Sequence, residues 1–331
     1  MSRILGHSSI LERLGDTADR DSLHHAYLFE GPSGLGRRVV ADWLARYVNC
    51  TSANKPCGSC ARCVQIAAGT HPDVIVLEPD PDKASRTIGI DAVREVIRKS
   101  GYHRFDSARR VVIVDPADAM LEPAANALLK TLEEPPEGTG FILLSTSARR
   151  LLPTIVSRCQ RVRFGAVPTE QITAWLRERG MDEPELCARL SLGSPGRALE
   201  LASGGLAQRR EARSLLVRLG TGSLKPIFDH DQKLTKGTAR TSWMPKATLL
   251  FELLEELLRD VAIYASGSPT PLLHADQPEL IADWSHRLWP GGVERMQQAL
   301  IEARSQLRVN VNGRLVLDTL FTRLRAELGA V

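Results

Sequence analysis

A glycine-rich turn between an apolar run and an amphipathic segment is the feature that most constrains how this chain can fold. Residues 26–43 read AYLFEGPSGLGRRVVADW, so a buried strand should pass through the glycines directly into a helix. This is the layout of a phosphate-binding loop, in which backbone N–H groups and a helix N-terminus face an anion. The glycines of the turn are Gly31, Gly34 and Gly36.

The two positions that close such a loop carry the chemistry of a nucleotide enzyme. They normally hold a Lys for the β- and γ-phosphates and a Ser or Thr whose hydroxyl binds Mg²⁺. Here the first is Arg37, which keeps the positive charge but in a planar guanidinium rather than a compact ammonium. The second is Arg38, which has no hydroxyl. The loop therefore predicts the shape of a nucleotide site without its metal chemistry.

The run RVVIVD holds a second departure from a working site. In an ATPase of this class the strand should end in a metal-side acid followed by a water-orienting acid. Asp115 can fill the first role, but Pro116 cannot orient water, and we expect Asp118 to cap the following helix. Two separate faults predict that the chain does not hydrolyse ATP efficiently and that ATP or ADP binding is weak or absent. The candidate nucleotide-binding residues of this degenerate loop are Gly31, Gly34, Gly36, Arg37 and Asp115.

From residue 26 to about residue 164, short apolar runs alternate with helix-like segments. Several runs are apolar at odd and even positions alike, as strands buried on both faces should be. The alternation predicts an α/β fold with a parallel sheet covered by helices. The runs are AYLFE, DVIVLEP, RVVIVD, GFILLSTS and QRVRF, and helices are expected at about 36–49, 90–100, 119–134 and 152–158.

The strand signal disappears after Val167 and Pro168. Three helical segments follow, TEQITAWLRERG, EPELCARLSL and GSPGRALELA, and they predict a small all-helical unit that ends near residue 204. Most of the remainder is also helical, but residues 221–245 have no clear period and are expected to form a long exposed connection. An apolar stripe at 4-3-4 spacing marks one amphipathic helix and consists of Leu250, Leu254, Leu257 and Val261.

Four of the six cysteines lie within CTSANKPCGSCARC, at a C-x6-C-x2-C-x2-C spacing. Two overlapping C-x2-C steps let the backbone fold around the thiolates of one tetrahedral site, which suits Zn²⁺. Four sulfur ligands leave no position for water, so one such zinc per chain would be structural. Buried free thiols, a redox pair and an iron–sulfur cluster are the alternatives. The expected ligands are Cys50, Cys57, Cys60 and Cys63, and neither Cys159 nor Cys187 follows the pattern.

Composition sets only broad bounds. A length of 331 residues leaves room for two or three domains, and 43% hydrophobic with 25% charged residues is ordinary for a globular protein. The net charge of +4 permits work near nucleic acid without arguing for it. No apolar run approaches 18 residues, and the start MSRILGHSSILERLGD is charged where a signal peptide is apolar. We therefore expect a cytoplasmic protein without a membrane span.

Residues 126–164, NALLKTLEEPPEGTGFILLSTSARRLLPTIVSRCQRVRF, resemble the core of the clamp-loader subunits of bacterial DNA polymerase III. The cysteine cluster, GSPGRAL and the late RVNVNGRLVLDTL are similar to the same family. The resemblance covers nearly the whole chain and is weakest over residues 205–290. It implies an AAA+ α/β domain over residues 1–166 with an inserted zinc module at 50–63, a helical lid over 167–206 and a helical collar domain over 207–331.

Within that family, the departures at Arg38 and Pro116 resemble the member that does not hydrolyse ATP, rather than the gamma/tau motor. The resemblance then implies a scaffold of the polymerase holoenzyme that helps to load the sliding clamp onto primed DNA. The implied partners are the gamma/tau and delta subunits, with the sliding clamp contacted indirectly and primer-template DNA through the complex. No intrinsic ATPase activity is expected.

The resemblance also implies a role for Arg158, within Ser157-Arg158-Cys159. In the family this arginine lies at a subunit interface and points into the ATP site of the neighbouring gamma subunit. An arginine supplied in trans stabilises charge on the transferring phosphoryl group, whereas a lone surface arginine usually forms a weak salt bridge. Arg197 could be taken for the lid arginine that senses nucleotide, but its offset within GSPGRAL favours helix packing or solvent.

Two other functions fit parts of the sequence. One is an active ATPase motor of the same assembly, against which Arg37 and Pro116 argue. The other is a zinc-bearing nucleic-acid-binding module, which would need a basic face studded with aromatic residues. Residues 51–66 offer only Lys55 and Arg62 and no aromatic side chain, so this function ranks last.

Overall fold

Five short strands, all parallel to their neighbours, form one sheet. The computed structural model describes residues 4–80, 86–105, 107–221, 240–288, 291–308 and 312–329. The strands are β1 (Ala26–Glu30), β2 (Val74–Leu77), β3 (Arg110–Val114), β4 (Thr139–Ser145) and β5 (Gln160–Arg163). Their order in the sheet is β2-β3-β4-β1-β5. The predicted parallel sheet is confirmed, and each strand overlaps one of the five apolar runs.

Helices connect these strands and continue beyond the last of them. The predicted helix at 90–100 has those bounds in the structure, whereas the one expected at 119–134 begins at Glu122, after a separate 3₁₀ turn over Ala117–Ala119. Pro123 in its first turn favours that later start. The helices are α1 (Ser8–Asp19), α2 (Arg37–Asn49), α3 (Ala61–Ala67), α4 (Ile90–Ser100), α5 (Glu122–Glu133), α6 (Pro153–Val156), α7 (Thr169–Arg177), α8 (Pro184–Leu190) and α9 (Pro195–Glu200).

Both faces of the sheet are covered, which explains why its central runs are apolar at odd and even positions alike. All residues of β1, β3 and β4 are buried. Successive strand residues point to opposite faces, so Val112 packs in one core with Leu128 of α5, while Ile113 packs in a second core with Val40 of α2. Burial on two faces is the arrangement that parallel sheets require.

A second group of helices has its own core. The four residues of the predicted stripe are buried in this core together with Trp284 and Phe321. This unit contains α10 (Leu206–Thr221), α11 (Arg240–Ala265), α12 (Pro278–Arg287), α13 (Gly292–Arg308) and α14 (Gly313–Glu327).

The connection expected over residues 221–245 is wrong for its first residue, Thr221, which still belongs to α10, and for its last six. α11 already begins at Arg240, and Trp243 is buried in the core, where its ring lies against Gly313 of α14. An aromatic ring that packs on a neighbouring helix can impose helix on a segment without periodicity. Residues 222–239 of that expected connection lie outside the described residues.

The chain divides into two compact units, Met1–Glu200 and Leu201–Val331. The first contains the sheet together with α7, α8 and α9. The boundaries expected at 166/167 and 206/207 stay predictions. Within the described ranges no helix is both long and apolar enough to span a membrane.

Candidate functional site

The glycine turn forms a loop at the carboxyl end of β1, as predicted. All three glycines have positive φ, 153° at Gly31, 77° at Gly34 and 83° at Gly36, and Gly36 is the N-cap of α2. Leu35 is buried beneath the loop in the core that includes Phe29. The strand–loop–helix shape of a phosphate-binding loop is therefore present, with the arginines at the start of the helix.

Arg38 lies among three carboxylates at this edge of the sheet. Its Nε is 3.1 Å from Asp42 Oδ1, and its Nη1 is 3.2 Å from Asp115 Oδ2 and also bonds to Glu78. Burial alone would lower the pKa of Arg38, but the bonds to Glu78, Asp42 and Asp115 raise it above its ordinary value. Arg38 stands where a working loop has its metal-binding hydroxyl. Its permanent positive charge thus pairs with Asp115, the acid that would otherwise bind the metal.

Arg37 faces the same edge without a direct ion pair among the described residues. Burial lowers the pKa of its guanidinium, while the charges of Asp115 and Asp118 act in the opposite direction. Its Nη1 is buried and has no hydrogen-bond partner within the part of the chain that the structure describes. Arg37, Asp115 and the three glycines, predicted as one site, are therefore brought together.

The expectation that Asp118 caps the following helix is wrong. The N-cap of α5 is Leu121, without a side-chain cap bond. Asp118 Oδ2 instead accepts hydrogen bonds from Thr146 Oγ1 at 3.2 Å and from Arg150 Nη1 at 3.1 Å. Burial would raise the pKa of Asp118, but the bonds from Arg150 and Thr146 lower it. The 3₁₀ turn before α5 directs this carboxylate to the end of β4, which sequence spacing does not indicate.

The start of α9 lies directly against the glycine loop. Gly196 N donates to Gly34 O at 2.9 Å, and Ser194 Oγ donates to Ser33 O at 3.2 Å. A Cβ at Gly196 would lie 2.9 Å from the Cα of Gly34, closer than real side chains come. The second glycine of GSPGRAL, Gly196, therefore meets the loop, whereas the backbone N–H of Arg197 bonds to Ser194 Oγ at 3.3 Å.

The predicted cysteine ligands also come together. Their four Sγ atoms lie within 4.8 Å of one another, and none of the thiols is in a disulfide. Backbone N–H groups point at the sulfurs: Cys57 N lies 3.4 Å from Cys50 Sγ, Cys60 N 3.3 Å from Cys57 Sγ and Cys63 N 3.5 Å from Cys60 Sγ.

Such N–H donors stabilise thiolate over thiol. Those of Thr51 and Cys63 lower the pKa of Cys60 to about 6, whereas burial raises that of Cys63 to about 12. Sulfurs on a tetrahedral zinc are about 3.8 Å apart, given a Zn–S bond of about 2.3 Å. The cluster therefore fits a metal ion with four thiolate ligands.

Arg158 lies just before β5, at the amino end of that strand. Nη1 donates to Thr154 O at 2.8 Å, and Nη2 bonds to the Glu133 carboxylate at the end of α5. The side chain is 31% exposed, and its Nε has no partner within the described residues. The glycine loop follows the carboxyl end of β1, so Arg158 and the loop lie at opposite ends of neighbouring strands.

Sequence reasoning missed three acidic residues near the loop. Glu30 is buried at the end of β1 and accepts from Arg161 Nη2 at 2.7 Å and from Arg163 Nε at 2.9 Å. Burial would raise the pKa of Glu30, but these arginines lower it. Asp42 and Glu78 were missed as partners of Arg38. Signals existed for all three: the alternating arginines of QRVRF, the i,i+4 spacing of Asp42, and the place of Glu78 just after β2.

Comparisons with known proteins agree with this geometry. Residues 6–168 match a family model described as DNA polymerase III, delta subunit, and residues 244–326 match its C-terminal counterpart. A gamma subunit-related protein of DNA polymerase III from Thermotoga maritima has the same fold, with a TM-score of 0.51, 22% identity, and coverage of 96% of this chain and 99% of that one. The fold and the loop thus define an AAA+ protein of the clamp-loader class.

Curated relatives show which family within the clamp-loader class the chain belongs to. DNA polymerase III subunit delta' of Escherichia coli (strain K12) is 36% identical over 318 residues, 92% of this chain and 90% of that protein. The delta' subunit of Bacillus subtilis (strain 168) is 28% identical over 96% of this chain and 95% of its own length. Subunit tau of Escherichia coli is 33% identical, but over 70% of this chain and 36% of tau. The chain belongs to the DNA polymerase III delta-prime family, and the predicted clamp-loader membership is confirmed.

Proposed function

We propose that this chain is a non-hydrolysing subunit of the clamp loader and supplies Arg158 in trans to the ATP site of a neighbouring gamma/tau-class subunit. The main support for a subunit that does not hydrolyse ATP is the ion pair between Arg38 and Asp115. Mg²⁺ in a working loop needs a hydroxyl and an acid. Here the hydroxyl is replaced and the acid already binds a guanidinium. The isolated chain should therefore show no ATP turnover above background.

The position of Arg158 supports its proposed action on the ATP site of a neighbouring subunit. Cys159, the next residue, is buried in a core of the first unit and anchors the turn. Among the described residues, the guanidinium itself is held by the Glu133 carboxylate, by the carbonyl of Thr154 and, at 3.5 Å, by the hydroxyl of Ser157. A partly exposed ion pair of this kind stabilises by at most about 1 kcal/mol. A negatively charged phosphoryl group on a neighbouring subunit can therefore compete for Arg158 at little cost.

Reconstitution of the loader with Arg158→Ala tests this role. The variant should fold, keep its metal and assemble, since one exposed side chain contributes little to a large interface. Hydrolysis at the adjacent site should slow, by about 10³–10⁵-fold if the arginine acts like other such residues. Total turnover should fall less, because only one site borders this subunit, and clamp loading at saturating ATP should suffer most.

Arg149→Ala is the matched control, because Arg149 is an exposed arginine in a neighbouring turn. It should leave clamp loading unchanged. Equal loading rates for Arg158→Ala and wild type, with assembly confirmed by gel filtration, would reduce Arg158 to an ordinary surface charge.

We propose that the metal of the cysteine cluster is zinc, one per chain, with a structural role. Cys60→Ser should lose the metal and lower the melting temperature of the protein, since a structural zinc site stabilises its own fold. Cys187→Ser, outside the cluster, should keep one zinc per chain. Elemental analysis that finds iron, or far less than one zinc in the wild type, rules the proposal out.

We propose further that gamma/tau-class and delta-class subunits are direct partners, with the sliding clamp and primer-template DNA engaged through the complex in the cytoplasm. The sequence relationship to subunit tau supports shared membership. The expected lid and collar domains, over residues 167–206 and 207–331, belong to the same proposal.

A further inference from the structure

The guanidinium of Arg158 is turned toward its own chain. Nη1 donates to Thr154 O at 2.8 Å and to the hydroxyl of Ser157 at 3.5 Å, and Nη2 bonds to the Glu133 carboxylate. The third nitrogen, Nε, is buried and has no hydrogen-bond partner among the described residues. Each of the three guanidinium nitrogens is therefore either bonded or covered within this chain.

The pair with Glu133 involves the nitrogen that any bidentate contact with a second anion would use. An arginine binds a phosphate or a carboxylate through two adjacent N–H groups, either on Nη1 and Nη2 or on Nε and Nη2. Both combinations include Nη2, which in Arg158 bonds to Glu133. Because like charges repel, the Glu133 carboxylate competes with a phosphoryl group for this guanidinium.

The place of Glu133 in its own helix does not account for its charge. Glu133 is the last residue of α5, and the free carbonyls at the end of a helix favour cations over carboxylates. Within the described ranges, the pair with Arg158 is the one ion pair that Glu133 makes. The carboxylate therefore contributes by holding Arg158 rather than by stabilising the helix that carries it.

The two anions that compete for Arg158 differ in strength. The Glu133 side chain is 48% exposed, so water screens its pair with Arg158, and such a pair shifts an equilibrium by at most about fivefold. A terminal phosphate group carries a charge of about −1.5 to −2 and three acceptor oxygens, against one charge on a carboxylate. It also offers a partner to Nε. A γ-phosphoryl group within reach of Arg158 therefore wins the competition.

We propose that Glu133 is a positioning residue that holds Arg158 against its own chain until the γ-phosphoryl group of a neighbour's ATP displaces it. The pair makes the engagement of Arg158 depend on bound ATP and sets the ATP concentration at which it occurs. This inference rests on the proposed action of Arg158 in trans, and it adds a regulation of that action.

The hold on Arg158 is tested in the isolated full-length chain with phenylglyoxal, which modifies accessible arginine side chains, and mass spectrometry of the modified peptides. Glu133→Gln keeps the length of the side chain but removes its charge, so Arg158 should react about threefold to fivefold faster than in wild type. Glu134→Gln, at the next residue and also exposed, is the matched control and should leave the rate unchanged. Arg149, an exposed arginine, should react equally in all three proteins.

The effect of the hold is tested in the reconstituted loader by measuring clamp loading against ATP concentration. With Glu133→Gln, half-maximal loading should occur at an ATP concentration about twofold to fivefold lower, because a competitor of the phosphoryl group has been removed. The maximal rate should stay within about 1.5-fold of wild type, since a change in binding alone alters the half-maximal concentration and not the rate at saturation. In the Arg158→Ala background, Glu133→Gln should change neither quantity.

An unchanged labelling rate of Arg158 in Glu133→Gln would overturn the proposal. So would an effect of Glu133→Gln on loading that persists in the Arg158→Ala background, because Glu133 would then act without the arginine. If Arg158→Ala impairs loading and Glu133→Gln leaves the labelling of Arg158 unchanged, the proposed function stands and the hold by Glu133 fails. If Arg158→Ala loads like wild type while Glu133→Gln speeds the labelling, the proposed function fails and the hold stands.

Discussion

At the scale of single residues, Arg38 is the substitution with the largest consequence. A Ser or Thr at this position would leave Asp42, Glu78 and Asp115 without the cation to which all three bond. The arginine supplies that cation permanently and bonds to all three. One side chain thus removes the metal ligand and occupies the acid that would have shared the metal.

Arg38→Met should lower the free energy of unfolding by about 1–2 kcal/mol, because three partly exposed carboxylates lose their shared partner at about 0.5 kcal/mol each. The loss should shrink in about 1 M NaCl, which screens repulsion among them. Urea unfolding at low and high salt measures it.

Arg46→Met is the control for that substitution. Arg46 lies on the same helix and donates to Asp42 O at 3.2 Å, so its loss should cost under about 0.5 kcal/mol. If both variants were equally destabilised, Arg38 would have no special role in neutralising this edge.

At the scale of elements, the contact between α9 and the glycine loop couples the helices after β5 to the site. Two backbones meet here, and only residues without a Cβ allow it. At Gly34 positive φ favours glycine as well. The contact between loop and helix is therefore made by the backbone itself.

Gly196→Ala should destabilise the first unit by about 1–3 kcal/mol, the usual cost of overpacking. The new Cβ would lie 2.9 Å from Gly34 Cα and 3.1 Å from Gly34 O. Hydrogen exchange at residues 31–36 should quicken as the loop loses its contact.

Gly165→Ala is the matched control, because a Cβ there meets nothing within 4 Å. Its unfolding free energy and exchange rates should match those of wild type. Slow exchange at residues 31–36 in both variants would show that α9 does not hold the loop.

At the scale of the whole molecule, the two units are stabilised by different sets of buried residues. The first has two cores, one on each face of the sheet. The second has one core and, beside it, a buried group of charges. There Asp260 accepts from Leu273 N at 3.1 Å, from His274 N at 2.7 Å and from Arg259 Nη1 at 2.7 Å, while Arg209 pairs with Glu256.

Asp260→Asn should lower stability at pH 7 by about 3 kcal/mol, because it leaves buried partners without their charge. Burial would raise the pKa of Asp260, but the bonds from His274 and Leu273 hold it below its ordinary value. Because the pKa of Asp260 is lower in the folded protein than in the unfolded chain, where it is about 3.9, the ionised carboxylate stabilises the fold above that pH. This stabilisation is lost as the pH falls through the folded-state pKa.

The melting temperatures of wild type and Asp260→Asn should therefore converge on acidification below about pH 4. Asp283→Asn, at an exposed i,i+4 pair with Arg287, should change little at any pH. A gap between wild type and Asp260→Asn that stays constant down to pH 3 would assign the loss to packing rather than to charge.

Much of this molecule was determined by the sequence alone, where the deciding interactions are local. The strand–loop–helix around Gly31, the five apolar runs and the spacing of Cys57, Cys60 and Cys63 each lie within one contiguous stretch. Periodicity, turn chemistry and ligand spacing act over a few residues and can be read without a structure. The role proposed for Arg158 came from family motifs, because local chemistry does not indicate it.

Only the tertiary structure decided which distant residues meet. Arg38 finds Glu78 and Asp115 because the strands that precede those acids are neighbours in the sheet, an order that alternating runs do not specify. Asp73 and Arg110 form a buried ion pair although they are 37 positions apart, and Gly34 meets Gly196 across most of the first unit. Side chains separated in this way pair through packing and desolvation, which depend on the assembled fold and leave no period or spacing in the sequence.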